Sequence, residues 1–107
     1  MHKTVLLLVA VIACASALAE IRAVTPVVPD ASWTKDWWMN RHREKVAAAQ
    51  AGGSPVVFIG DSITHFWETN GKAQLAKYFS EGDLKMLDLG TSADRTEHVL
   101  WRLTEGK

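Results

Sequence analysis

Ser62 is the side chain whose neighbours best equip it to act as a nucleophile. It follows Gly60 and Asp61, which close the apolar run Val56-Val57-Phe58-Ile59. A serine hydroxyl attacks an acyl carbon usefully when a positioned base takes its proton and N–H donors receive the charge developing on oxygen. A helix starting at Ser62 would bring free N–H groups to that spot. The same tripeptide also has a plain structural reading, because Asp and Ser are ordinary N-cap residues. The histidines within reach as bases are His42, His65 and His98. His65 lies three residues after Ser62 on the expected helix, yet two side chains of one helix seldom align as nucleophile and base. A surface or pocket-lining role is favoured for His65, and a structural or solvated one for His42 and His98.

A second constellation runs Leu87-Asp88-Leu89-Gly90-Thr91-Ser92-Ala93-Asp94-Arg95-Thr96-Glu97-His98-Val99-Leu100-Trp101-Arg102-Leu103. Together with Phe58-Ile59-Gly60-Asp61-Ser62, this stretch resembles the SGNH/GDSL hydrolases. The nearest branch holds the catalytic subunits of platelet-activating-factor acetylhydrolase and many bacterial acyl-esterases. Trp38, Arg41, His42 and Val46 resemble the lead-in helix of that branch. The likeness covers residues 33–107, and its second motif is long enough to be specific.

The resemblance implies an α/β, flavodoxin-like three-layer SGNH hydrolase fold, of which only the first βαβ part and a lead-in helix are expected here. It implies that Ser62 is the nucleophile and that its own N–H is one oxyanion donor. The N–H of Ala93 would be the second, at a position where the acetylhydrolase subunits carry glycine. That departure requires Ala93 to adopt a conformation its Cβ tolerates. Gly60, Asp61, Gly90 and Asp94 would shape the site, with Asp61 holding the turn rather than serving as the triad acid. Arg95, near the pocket mouth, is read as structural, with substrate contact the alternative. The family's third donor, an asparagine in a Gly-x-Asn-Asp block, and its C-terminal Asp-x-x-His do not occur in these residues. The chain is therefore expected to be an incomplete SGNH domain with little activity alone.

The elements that must position these groups are legible. Asp36 to Gln50 predicts a helix, supported by Ala47, Ala48 and Ala49 and stopped at Gly52-Gly53. Val56 to Ile59 predicts a strand covered on both faces. Short helices follow at Ser62 to Trp67 and Lys72 to Phe79, broken by Asn70-Gly71. Leu84 to Leu89 predicts the second strand. Asp94 to Leu103 predicts the last helix, with Asp94 opening a capping-box-like start. The crossover between the strands is long enough for a βαβ unit. Ser62 and the Gly90–Ala93 loop should then converge on one crevice. Two strands are few for a sheet of this class, so these residues are expected to fold marginally.

Composition narrows the classes. Lys plus Arg number 12 and Asp plus Glu 12, so no basic surplus invites nucleic acid or an acidic membrane. Residues 1–19 read as a signal peptide: a basic start at His2-Lys3, an apolar stretch Val5 to Ala13, and Ala17-Leu18-Ala19 as the cleavage signal. That stretch is too short for a convincing membrane span, which points to a secreted or periplasmic product. Acylation of Cys14 as a lipoprotein is the competing reading. Residues 20–32, with Pro26 and Pro29, read as a linker, and residues 33–107 as the hydrolase portion. The histidines are scattered and Cys14 is the single cysteine, so neither metal nor cofactor is expected. The partner expected is a small acyl ester, an acetylated sugar or a lipid among them. A non-catalytic anion- or ligand-binding module, or an inactive gene remnant, stays open beside the esterase.

Overall fold

Three-residue strands, one helix of 14 residues and several shorter ones build the described residues. The computed structural model describes residues 21–107, so the signal-peptide and Cys14 readings lie outside the described residues. The architecture is α/β: helix α1 (Trp38–Ala51), strand β1 (Val56–Phe58), helices α2 (Ser62–His65) and α3 (Lys72–Tyr78), strand β2 (Met86–Asp88) and helix α4 (Thr96–Thr104). The two strands pair in parallel, with Val56 opposite Met86, Val57 opposite Leu87 and Phe58 opposite Asp88.

Helix α1 starts two residues later than its pattern predicts. The Trp37 indole donates to the Trp33 carbonyl at 2.8 Å, which ties the helix start to a preceding 3-10 turn, Ser32–Thr34. Its end is where the glycines require it. Gly52 has φ 69°, a left-handed conformation that a side chain would oppose, and its N–H donates to Ala49 O at 3.1 Å.

The expectation of a strand covered on both faces is corrected. Phe58 packs edge-on against Trp67 and Phe79, with ring centroids 6.2 and 5.5 Å away. Val57 and Ile59 remain 47% and 48% exposed, so one face of β1 is uncovered among the described residues. Period-2 alternation explains it: Phe58 points to the face that α2, α3 and their connecting 3-10 turn Phe66–Glu68 can reach, and its neighbours point away. The second strand is also shorter than predicted, because Leu84 falls in a 3-10 turn, Gly82–Leu84, that delivers the chain to β2.

A second cluster joins α1 to α4. Trp38, 2% exposed, stacks on His42 and lies 5.7 Å from Trp101 between ring centroids. The His42 Nε2–H donates to the Gly106 carbonyl at 2.5 Å, so this histidine is a structural pin. Residues 21–31 run as irregular backbone with one 3-10 turn, Arg22–Val24, which packs on α4. Val27 N–H reaches Glu97 O at 3.3 Å.

Candidate active site

Chain geometry brings the two loops that follow β1 and β2 side by side. The parallel ladder runs past the strands: Leu89 N–H donates to Phe58 O at 2.8 Å, and Thr91 N–H to Gly60 O at 3.0 Å. Ser62 is the first residue of α2 and half-buried, directly beyond β1. Asp61 caps that helix, its Oδ1 accepting the Ile63 N–H at 3.0 Å. Asp61 thus serves the turn and leaves the Ser62 N–H free.

Gly90 sits where the two loops touch. A Cβ there would collide with the His65 nitrogen and come within 2.6 Å of the Thr64 Cβ, so the close approach of loop to helix requires glycine. The Gly90 N–H donates to Asp88 Oδ1 at 2.7 Å. Its carbonyl accepts two bonds from the Arg41 guanidinium, at 2.9 Å from Nε and 2.6 Å from Nη2. Arg41 Nη1 reaches Glu68 at 2.8 Å, and Lys45 pairs with the other Glu68 oxygen. Burial works to raise the Glu68 pKa, but the bonds from Arg41 and Lys45 outweigh it and hold the carboxyl below its ordinary value. Burial raises the Asp88 carboxyl, and the Gly90 N–H only partly offsets that.

Ala93 has φ 69° and is the one non-glycine residue in the left-handed region among the described residues. Its neighbours are tied down. Ser92 N–H donates to His65 Nδ1 at 3.1 Å, and Asp94 N–H to Thr91 O at 3.1 Å. The N–H groups of Gly90, Thr91 and Ser92 all have acceptors, whereas those of Ser62 and Ala93 have none among the described residues. The Asp94 side chain is buried, its carboxylate accepting from the Trp38 indole at 2.6 Å and pairing with Arg102 at 2.7 Å.

Asp94 was expected to open α4, and the structure corrects this. The N-cap is Arg95, whose N–H is accepted by His98 Nδ1 at 3.0 Å. The indole and guanidinium draw the Asp94 carboxylate inward, away from the helix end. Arg95 is exposed and lines an open apolar cleft with Ile59, Gly60, Asp61, Asp94 and Leu100.

None of His42, His65 and His98 lies within hydrogen-bond reach of the Ser62 hydroxyl; each ring is engaged elsewhere. His65 faces Ser92 rather than its helix neighbour. The tie from Arg41 and Glu68 to Gly90 escaped sequence reasoning. Its one visible signal is the spacing of Arg41 and Lys45, four apart and therefore on one helix face. No group of three or more His, Cys, Asp or Glu among the described residues is arranged to hold a metal ion. No helix among them is long and apolar enough to cross a membrane.

Platelet-activating factor acetylhydrolase IB subunit alpha1 of Rattus norvegicus is 37% identical to this chain over 71 residues, 65% of this chain and 28% of the relative. The Homo sapiens alpha1 subunit is likewise 37% identical over 71 residues, which is 29% of its length. The alpha2 subunit of Rattus norvegicus is 33% identical over 72 residues, 67% of this chain and 30% of that subunit. No family model matches the chain. The chain is thus distantly similar to members of the SGNH hydrolase family and spans less than a third of the curated relatives it matches.

Proposed function

We propose that these residues are the first part of an exported SGNH-type serine esterase, built on a flavodoxin-like three-layer fold, that removes a small acyl group, acetyl above all, from an oxygen ester. One observation carries the reading. In the two loops that meet beyond the strands, the amides of Ser62 and Ala93 are left without acceptors while the amides between Gly90 and Ser92 are consumed. The likeness to acetylhydrolase subunits supports the acyl group.

Ser62 Oγ attacks the ester carbonyl carbon and gives up its proton to a base. The carbonyl oxygen becomes an oxyanion that accepts the N–H groups of Ser62 and Ala93. Collapse expels the alcohol, which takes the proton, and water then releases the acid from the Ser62 ester. Residues 33–107 supply nucleophile and two oxyanion donors in this scheme. The base has to come from outside the described histidines, since each of them is engaged elsewhere. Residues 1–19 would serve export, with cleavage after Ala19, and residues 20–32 would link the leader to the domain.

Hydrolysis of an activated aryl acetate tests the reading. In the complete enzyme of which these residues are proposed to be the first part, Ser62→Ala should lower kcat by about a thousandfold or more. An unchanged rate in Ser62→Ala would remove Ser62 from the chemistry. A second reading, a non-catalytic pocket for small carboxylates, is favoured by the lack of a histidine against Ser62, and it leaves acetate binding intact in Ser62→Ala without hydrolysis in either protein.

A further inference from the structure

Between Thr91 and Asp94 the loop has only two residues to fix, Ser92 and Ala93, and both ends are anchored. Thr91 is held by Gly60 and Asp94 by Trp38 and Arg102. Among the described residues, the one side chain tying the intervening pair is His65, through the Ser92 N–H at 3.1 Å and the Ser92 hydroxyl at 3.0 Å. A backbone N–H can donate only to an unprotonated ring nitrogen, so this geometry demands a neutral imidazole with its proton on Nε2.

We infer that His65 is a positioning residue: its neutral Nδ1, by accepting the Ser92 amide, sets the place of the next amide along, that of Ala93. This rests on the reading of Ala93 as an oxyanion donor. Adding a proton to Nδ1 sets two N–H groups against each other. The ring then has only the Ser92 hydroxyl to donate to, and the loop loses its backbone tie. The surroundings favour the neutral ring. Burial lowers the His65 pKa from its ordinary 6.5, Arg41 and Lys45 on α1 push it the same way, and Glu68 and Asp94 oppose them. The neutral state is therefore complete above the ordinary value. The tie, with the stability it contributes, is lost as pH falls through the lower value in the fold.

Amide NMR of the isotope-labelled protein, taken from about pH 8 to about pH 5, reads this without reference to activity. The Ser92 and Ala93 amide resonances should move with the midpoint of the His65 ring, below 6.5. His65→Asn, which places a side-chain oxygen near the Nδ1 position, should hold both resonances near their high-pH positions throughout. His65→Ala should displace them at every pH and lower kcat for the aryl acetate by up to about a hundredfold with little change in KM. Ser92 and Ala93 amides that stay still while the ring titrates would overturn the inference, as would amides that shift in His65→Ala with kcat unchanged. If the complete enzyme shows no hydrolysis, the esterase reading fails alone and the amide titration still decides the role of His65.

Discussion

The Ala93 backbone takes the left-handed conformation that glycine adopts freely, with φ 69°. An L-residue with a Cβ pays roughly 1 to 2 kcal/mol for that conformation. After the gain in unfolded-state freedom is subtracted, Ala93→Gly should raise stability by about 1 kcal/mol, read as a higher urea midpoint. A lower midpoint would mean that the Ala93 methyl packs favourably and that the loop is not strained. At this scale the sequence was half legible. Ser62 stood out in local pattern, whereas Ala93 was singled out only by the family resemblance, which asked for a conformation its Cβ tolerates; the left-handed φ of 69° corrects that. The tie made by His65 could not be read there, because its partner Ser92 lies 27 residues away and only the fold brings them together.

Helix α4 shows how an element can be foreseen and its start misassigned. A helix over Asp94 to Leu103 was legible, but the Asp94-first cap was not what formed. Local propensity favours an aspartate at a helix start, worth about 1 kcal/mol. A buried ion pair with Arg102 and a bond from the Trp38 indole outbid it, and His98 took over the cap. These ties fasten the residue after Ala93 to both α1 and α4. Removing one partner of a buried pair leaves the other charge uncompensated, at about 3 to 5 kcal/mol. Arg102→Ala should accordingly lose about 3 to 5 kcal/mol, a large part of the stability of an ordinary domain. The check is tryptophan fluorescence, since Trp38 and Trp101 report on this cluster. A variant as stable as the original would show that Asp94 finds adequate solvation elsewhere.

At the scale of the molecule, the two parallel strands and four helices of the described residues align the loops beyond β1 and β2, and the crossover that does so was legible from the order of apolar runs. How the sheet is covered was not. Periodicity cannot tell a strand buried on both faces from one with a single packed face, and Val57 and Ile59 prove exposed among the described residues. Trp38 and Met86 are the only buried hydrophobic residues among them, at 2% and 8% exposed. The rigidity around the site comes instead from polar ties: Asp88 and Arg41 on Gly90, Gly60 on Thr91, His65 on Ser92, and Trp38 and Arg102 on Asp94.

The central claim is that this convergence makes Ser62 a nucleophile. Labelling of the complete enzyme with a fluorophosphonate, followed by mass mapping of the modified peptide, tests it most directly. The account predicts a single phosphonylated residue at Ser62 and no label in Ser62→Ala. A protein that takes up no label, or takes it up at another residue with Ser62→Ala labelled equally, would contradict it.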